Sequence, residues 1–121
     1  VACVLAHVLA GLFFLHEKKR LHRDIKAANI LVTQSGVCKL GDFGVSAALT
    51  ASQPLRRTRT GTVFWMAPEV IIGEPYNATA DLWSLGITVL EMLSGTVPHR
   101  RSPRYEACMA IANGPAPKFR D

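Results

Sequence analysis

The stretch Leu21–Leu31, LHRDIKAANIL, packs cations and an acid between two apolar ends. Its polar residues are His22, Arg23, Asp24, Lys26 and Asn29. A helix on the surface of a protein could carry such charges, but it would not require this order. What the stretch means therefore depends on the segments around it.

The chain has 121 residues, of which 49% are hydrophobic and 19% are charged. A chain of this size buries roughly two-thirds of the surface that its unfolded form exposes, so we expect one domain with a core. The composition argues against a disordered chain. No membrane-spanning helix is expected, because no apolar run reaches about 18 residues. Residues 1–15 lack the flanks of a secretory signal, and the first residue is valine, so we expect a piece of a longer chain.

Fourteen Lys and Arg against nine Asp and Glu give a net charge of +5, and the positive charge is clustered in residues 18–20, 56–59 and 100–104. Such clusters can meet phosphate, an acidic partner or water. Without a nucleic-acid-binding motif, and with only 7% aromatic residues, nucleic-acid binding is not expected. A basic nucleic-acid binder would show strongly salt-dependent binding. The three cysteines are widely spaced, without a CxxC pair. They predict reduced thiols and, with no targeting signal, a cytoplasmic protein.

Apolar periodicity predicts a mainly α-helical chain with one small β-hairpin. Residues 1–20 show helical spacing and are expected to form a largely buried first helix. Two short apolar runs in residues 30–40 flank the turn-like Thr33–Gly36 and predict the hairpin. Residues 41–61 show little periodicity and predict a long loop, which in a compact domain is usually functional or disordered.

The strongest helical signal lies in residues 79–95. This stretch is apolar nearly all round, which is typical of a helix buried at the centre of a domain. Gly95 and Pro98 are expected to end it. A weaker helix is expected within residues 103–113.

Three motifs follow the opening stretch in a specific order. HRDIKAAN is followed by DFG at 42–44, APE at 67–69 and DLWSLG at 81–86. Each is weak alone, but the combination resembles the C-terminal lobe of a eukaryotic protein kinase. The segments HRDIKAANIL, KLGDFGVSA and GTVFWMAPEVI resemble the Ste20-like, or germinal-centre-kinase-like, serine/threonine kinases. The resemblance covers the whole chain and implies an incomplete protein-kinase-like α+β fold.

The resemblance implies a partial kinase domain that lacks the N-terminal lobe and the last helices. Its expected parts are a helix before the catalytic loop (1–20), the catalytic loop (21–29), a hairpin (30–40), the DFG motif and activation segment (42–69), a central buried helix (79–95) and the start of the next helix (103–113). The glycine-rich loop and the strand lysine that hold ATP phosphates belong to the N-terminal lobe. We therefore expect these residues alone to be inactive and prone to aggregate.

Phosphoryl transfer requires an acceptor held in line and phosphate charge that is neutralised. On this resemblance Asp24 accepts the proton of the acceptor hydroxyl, and Lys26 holds the transferring phosphoryl group. Asn29 and Asp42 supply oxygen ligands for Mg²⁺, with Mn²⁺ as an alternative, alongside ATP. The hairpin between them returns the chain to one place. Leu31 is implied to form the apolar floor under adenine.

Other residues are expected to support this site. The resemblance implies packing roles for His22 and Phe43 beneath the cleft, and structural roles for Gly44 and Glu69 in the DFG and APE motifs. An unpaired carboxylate at Asp81 would be costly on an apolar helix. The family pattern pairs it with backbone amides of the catalytic loop.

Arg23 directly precedes Asp24. In kinases with this arginine, a phosphate on the activation segment typically pairs with it and orders the segment. The expected phosphate acceptor is Thr58, with Thr60 and Ser52 as rivals. The alternative is that Thr58 is only an exposed loop threonine.

Lys26 and Thr62 favour serine/threonine rather than tyrosine specificity. Thr62 is expected to hydrogen-bond to Asp24 and Lys26 and so restrict the acceptor pocket to a small hydroxyl. Two features depart from the family: Val63 stands where the closest relatives usually have Pro, and residues 59–60 replace an apolar pair. The substrate preference of this chain is therefore left open.

The resemblance implies protein substrates with Ser or Thr, and an upstream kinase or a second copy that phosphorylates in trans. An alternative interpretation is a pseudokinase or a kinase-derived binding module. Asp24, Lys26, Asn29 and Asp42 argue against it, because a binding module has no use for all four. A glycine-rich loop and a strand lysine upstream of residue 1 would favour the enzyme.

Overall fold

The computed structural model describes residues 1–42, 47–48 and 62–119. Its elements are α1 (Ala2–Glu17), β1 (Arg20–Leu21), a first 3₁₀ turn (Ala27–Asn29), β2 (Ile30–Val32), β3 (Cys38–Leu40), β4 (Ala47–Ala48), a second 3₁₀ turn (Val63–Trp65), α2 (Pro68–Ile72), α3 (Thr79–Ser94) and α4 (Arg104–Asn113). The described chain is mostly helical with a small antiparallel hairpin, as predicted. Among its helices, none has the length and apolar character that crossing a membrane requires.

Helix α1 buries one narrow face. Val8 and Leu12 are buried and lie four residues apart, on the same side of the helix. Phe13 and Phe14, in contrast, are 69% and 63% exposed. The expectation of a largely buried first helix is therefore wrong, because apolar residues surround α1 while the described elements pack against one side of it.

Two hydrophobic clusters form most of the core of the described residues. The first consists of Val8, Leu12, Ile25 and Leu85. The second consists of Leu21, Val63, Met66, Ala67, Val70, Ile71, Tyr76, Ala80 and Ile111. Helix α3 contributes Leu85 to the first cluster and Ala80 to the second, so it joins the two.

Helix α3 is buried on one side only. Leu82 and Leu93 are about half exposed, at 49% and 48%, so the central helix that the sequence predicts is present with its buried residues on one side. Its buried side includes the polar residues Asp81, Ser84 and Thr88. Because buried polar groups need hydrogen-bond partners, Asp81 has to face donors outside α3, whereas Thr88 Oγ1 donates within the helix to the backbone oxygen of Ser84 at 2.7 Å.

Both β-ladders are short and antiparallel. In the hairpin, Ile30 of β2 lies opposite Leu40 of β3. A second ladder, which the sequence did not predict, pairs Arg20 of β1 with Ala48 of β4. Two-residue strands are too short to show the alternating pattern that identifies a strand.

Helix α2 falls where no helix was predicted. It begins at Pro68, whose fixed φ suits the first helical turn. It ends before Gly73, which has the left-handed φ of 79° that favours glycine after a helix. Both signals are present in the sequence, but five residues are too few to show helical periodicity.

Candidate functional site

The carboxylate of Asp24 lies at the centre of the candidate site. Its Oδ1 accepts hydrogen bonds from the backbone amide of Thr62 at 3.2 Å and from Thr62 Oγ1 at 3.0 Å. Its Oδ2 lies 3.0 Å from Lys26 Nζ and accepts a hydrogen bond from Asn29 Nδ2 at 3.0 Å. Each oxygen therefore has two donors, and the orientation of the carboxylate is fixed.

The hydroxyl of Thr62 connects the two charged groups. Lys26 Nζ donates to Thr62 Oγ1 at 2.8 Å, and the same hydroxyl donates to Asp24. Asn29 Nδ2 also donates to the backbone oxygen of Asp24 at 2.8 Å. Within the described residues no donor is bonded to Asn29 Oδ1. The structure thus brings together four residues that the sequence singled out.

The pKa of Asp24 lies below its ordinary value of 3.8. Burial acts in the opposite direction and raises the pKa. Hydrogen bonds from Lys26, Thr62 and Asn29, together with the charge of Lys26, outweigh it by stabilising the carboxylate. Asp24 is therefore ionised at neutral pH and accepts hydrogen bonds there.

Asp42 reaches the neighbourhood of Asn29 through Gly41. The amide of Gly41 donates to the backbone oxygen of Asn29 at 2.8 Å. A methyl group added to Gly41 would come within 3.0 Å of Leu31 Cδ1, so a glycine allows this close approach. Asp42 itself is exposed and has a φ of 56°, which is uncommon for a residue with a Cβ.

His22 is fully buried and uses both ring nitrogens. Because a carbonyl oxygen can only accept, Nε2 carries the proton and donates to the oxygen of Gly41 at 2.9 Å. Nδ1 accepts from the backbone amide of Asp24 at 3.3 Å. The sequence suggested packing alone, but the ring also links the 21–29 loop to the residue before Asp42.

Asp81 holds the 21–29 loop from α3. It is 1% exposed. Its Oδ2 accepts from the amide of His22 at 2.9 Å, and its Oδ1 accepts from the amide of Arg23 at 2.8 Å. His16 Nε2, which sequence reasoning missed, lies 2.8 Å from Oδ2. Arg23 has a left-handed φ of 74°, so Asp81 stabilises a strained turn immediately before Asp24.

Helix α3 holds the site at further points that sequence reasoning also missed. Glu91 Oε2 accepts from the amide of Ala27 at 3.2 Å and from Trp65 Nε1 at 3.0 Å. Ser84 Oγ donates to the backbone oxygen of Trp65 at 2.7 Å. One helix thus positions both the 21–29 loop and the second 3₁₀ turn. Polar residues follow one another along this side of α3 at intervals of three and four positions. We call them the polar face of α3: Asp81, Ser84, Thr88 and Glu91.

Some of the predicted residues fall outside the part of the chain that the structure describes. Phe43, Gly44, Ser52, Thr58 and Thr60 lie outside the described residues. Glu69 lies in the first turn of α2, and its carboxylate forms no ion pair with the part of the chain that is described. Within that part, no three His, Cys, Asp or Glu side chains group together as a metal site would require.

Comparison with known proteins identifies relatives of the whole chain. A family model described as "Protein kinase domain" matches residues 1–115. "Serine/threonine-protein kinase hippo" of Drosophila melanogaster is 48% identical over 121 residues, which cover 100% of this chain and 18% of that protein. "Serine/threonine-protein kinase cst-1" of Caenorhabditis elegans is 47% identical over 120 residues, 99% of this chain and 24% of that protein. The chain thus spans about a fifth to a quarter of these relatives.

These matches bear on the family that the motifs indicated. The resemblance to Ste20-like serine/threonine kinases is confirmed. The family model extends over the HRDIKAAN, DFG, APE and DLWSLG motifs, and therefore over every residue of the site around Asp24. This chain belongs to the protein kinase domain family.

Proposed function

We propose that this chain carries phosphoryl-transfer residues of a protein serine/threonine kinase. The reaction is the transfer of the γ-phosphoryl group of Mg-ATP to Ser or Thr hydroxyls of protein substrates. The observation that carries the proposal is the convergence on one carboxylate: Lys26 Nζ, Thr62 Oγ1 and Asn29 Nδ2 all lie 3.0 Å from an oxygen of Asp24. The curated relatives, each named as a serine/threonine-protein kinase, support it.

In this proposal Asp24 orients the acceptor hydroxyl and receives its proton. A carboxylate has about four acceptor positions, and Lys26, Thr62 and Asn29 occupy all of them. An incoming hydroxyl must therefore displace one donor. Lys26 has the flexible side chain among them, and its displaced ammonium group would neutralise charge on the phosphoryl group. The lowered pKa of Asp24 suits a loose transition state, which needs an aligned hydroxyl more than a strong base.

The residues present also fit a divalent cation. Mg²⁺ takes oxygen ligands; Asn29 Oδ1 has no donor within the described residues, and the exposed Asp42 follows a residue bonded to the backbone of Asn29. Asn29 and Asp42 would hold Mg²⁺ or Mn²⁺, which would neutralise charge on the phosphates of ATP. Leu31, 58% exposed beside Gly41, would lie beneath the adenine ring.

The proposal assigns the chain to the C-terminal lobe of the kinase fold, with residues 21–29 as catalytic loop and residues 42–69 as DFG motif and activation segment. ATP phosphates would then need further contacts from an N-terminal lobe, so residues 1–121 alone are expected to be inactive. Reduced thiols are the basis for proposing a cytoplasmic location, since all three cysteines are unpaired.

Regulation is proposed to act through Arg23. Its backbone amide donates to Asp81, which holds the residue immediately before Asp24. Phosphorylated Thr58 is the proposed partner. Replacing Thr58 with Ala is expected to lower activity more than replacing Thr60 with Ala. Equal activity of the Thr58 variant and the wild type would contradict this assignment.

The test of the proposal is phosphoryl transfer by the full-length gene product that contains this chain. With γ-labelled ATP and a serine peptide, Asp24→Asn is expected to lower the rate by about 10²–10⁴-fold. Glu17→Gln, which removes an exposed carboxylate at the end of α1, serves as a matched control with no expected change. Equal rates for Asp24→Asn and wild type would contradict the catalytic role. A folded wild-type protein that phosphorylates nothing would favour the pseudokinase or binding module, and labelling confined to tyrosine would overturn the specificity.

A further inference from the structure

An arginine is held beside the segment that contacts Asp24. Arg100 Cζ lies 5.6 Å from the centre of the Phe64 ring, which is within cation–π distance. Phe64 lies two residues beyond Thr62, whose hydroxyl is bonded to Asp24. The contact with Phe64, the two residues back to Thr62 and the hydrogen bond to Asp24 together span at most about 20 Å. The guanidinium is therefore within the length of about six extended residues of the Asp24 carboxylate. A peptide whose acceptor hydroxyl meets Asp24 can therefore reach Arg100.

Packed groups fix Phe64 relative to the 21–29 loop. Its ring meets Trp65 edge-on, with ring centres 6.3 Å apart and an angle of 72°. Trp65 Nε1 donates to Glu91 Oε2, and the same oxygen accepts from the amide of Ala27 in the loop. The cation is thus connected through contacts to the loop that carries Asp24.

The turn that carries Arg100 is itself ordered. The amide of Arg100 donates to the backbone oxygen of Val97 at 3.2 Å, and the amide of Ser102 donates to that of His99 at 2.9 Å. Val97 is buried and anchors the turn. A ligand that binds the guanidinium would therefore order one exposed side chain and would not have to order the backbone.

Arg100 lacks a carboxylate partner among the described residues. Neither it nor its neighbours Arg101 and Arg104 form an ion pair there. The sequence of residues 43–61 cannot supply a carboxylate, because it contains three arginines and no Asp or Glu. The charge of Arg100 is therefore not neutralised by a carboxylate of the described residues, and it would attract an anionic ligand.

We propose that Arg100 is a specificity-determining residue that binds an anionic side chain of the protein substrate, within about six positions of the acceptor hydroxyl. The anion is a carboxylate or a phosphorylated side chain, since both form charge-assisted hydrogen bonds with a guanidinium group. This inference rests on the proposed kinase function and adds a substrate class to it. Peptides that carry either a carboxylate or a phosphate distinguish the two possible anions.

The experiment is a positional scan with the full-length gene product. Serine peptides carry Glu, phosphoserine, Gln or Lys at each of about six positions on either side of the acceptor. We expect one position at which Glu raises kcat/KM over Gln by about two- to fivefold, as exposed ion pairs do, and at which Lys lowers it. The gain should appear in KM and shrink at high salt. Phosphoserine is expected to match or exceed Glu, and a response to phosphoserine alone would assign the phosphate.

Matched variants separate this role from a general loss of charge. Arg100→Gln is expected to abolish the preference while leaving kcat for the Gln peptide unchanged, and Arg100→Lys should restore part of it. Lys18→Gln is the control, because Lys18 also lies over an aromatic ring, at 5.7 Å from the centre of Phe14, on α1. It should retain the full preference.

Three results would overturn the inference. The first is phosphorylation without any preference for an anionic residue. The second is a preference that Arg100→Gln leaves intact. The third is an equal fall in kcat for every peptide in the Arg100→Gln variant, which would assign Arg100 a structural role. If the folded wild-type protein phosphorylates no peptide at all, the proposed kinase function fails as well. Because the other three results require an active wild-type protein, the two failures can be told apart.

Discussion

At the residue scale, Thr62 connects the two charged groups of the candidate site. One hydroxyl accepts a hydrogen bond from Lys26 and donates one to Asp24, so it lies between a cation and an anion. The backbone amide of the same residue adds a second bond to Asp24. Only the hydroxyl depends on the identity of the side chain, and it can be removed without disturbing the amide.

Replacing Thr62 with Val keeps the shape of the side chain and removes its hydroxyl. We expect kcat in the full-length protein to fall about tenfold, since a hydrogen bond to a charged group contributes about 1.5 kcal/mol. Thr62→Ser, which keeps the hydroxyl, should retain most of the activity. Steady-state kinetics on one serine peptide measure both variants. Equal losses in the two variants would show that the methyl group matters and the hydroxyl does not.

The lowered pKa of Asp24 makes part of the stability depend on pH. Its pKa in the folded state lies below the ordinary value of 3.8, so folding favours the charged form. This stabilisation is fully present above pH 3.8 and is lost as the pH falls through the folded-state pKa. Asp24→Asn lacks this contribution. Urea unfolding at a series of pH values should show a difference between wild type and variant that is constant near neutrality and changes, to the disadvantage of the wild type, below about pH 4. A difference that does not vary with pH would contradict the assignment.

At the scale of elements, α3 shows where sequence reasoning succeeds and where it fails. Asp81 could be singled out because a lone carboxylate on an apolar helix needs a partner. Glu91 could not, because a glutamate near the end of a helix usually lies in solvent. The regular intervals of the polar face were a usable signal, but the apolar residues between its members dominated the pattern.

Asp81→Ala is expected to destabilise the protein strongly. It removes the acceptor of the amides of His22, which is buried, and of Arg23, which is partly buried, and an unsatisfied buried donor costs about 1–3 kcal/mol. We expect the free energy of unfolding to fall by about 3 kcal/mol or more. Leu82→Ala, at the half-exposed neighbouring position, is the control and should cost less than about 1 kcal/mol. Urea unfolding distinguishes the two, and similar losses would show that Asp81 does not stabilise the turn.

Replacing glycine with alanine is expected to have opposite effects on stability at two positions. Gly73 has a φ of 79° after α2, whereas Gly86 lies inside α3, and neither has an atom within 4 Å of an added methyl group. Gly73→Ala should destabilise by about 1 kcal/mol, because a Cβ is strained in the left-handed region. Gly86→Ala should stabilise by up to about 1 kcal/mol, because alanine favours the helix. Melting temperatures that shift in the same direction would contradict this account.

At the scale of the whole molecule, apolar side chains remain on the surface. Leu9, Phe13 and Phe14 are exposed on α1, and Leu31 and Val32 are exposed on the hairpin. Exposed apolar groups of this extent are typical of surfaces that contact another surface. The sequence could not reveal them, because apolar residues around a helix predict burial without saying how many neighbours are available to bury it.

Residues 1–121, produced alone, are expected to bind a hydrophobic fluorescent dye and to self-associate. Replacing Phe13 and Phe14 together with Gln should reduce both dye fluorescence and light scattering, because these two rings carry no polar group and expose adjoining apolar surface on α1, whereas Tyr105 carries a hydroxyl. Tyr105→Gln, which removes a 75% exposed ring on α4, is the control and should change little. Equal reductions in the two variants would show that the surface that drives self-association is not specific to α1.

The candidate site was more predictable than the packing around it. Asp24, Lys26 and Asn29 occur within six residues, so local spacing nearly determines that they meet. Thr62 was identified by its motif, and its contacts depend on a connection of 36 residues. His16 carried no such motif, and its contact with Asp81 spans 65 residues. Contacts of this range depend on tertiary packing, which no local pattern in the sequence encodes.

The bonds from Asp81 to the 21–29 loop also offer a way to observe that loop at rest. The amide hydrogens of His22 and Arg23 point at the buried carboxylate of Asp81, which lies 59 and 58 residues further along the chain on α3. Neither hydrogen can be replaced by solvent deuterium until the loop and α3 separate. The exchange rates of these two hydrogens therefore report the free energy of opening of the loop, without nucleotide, substrate or turnover.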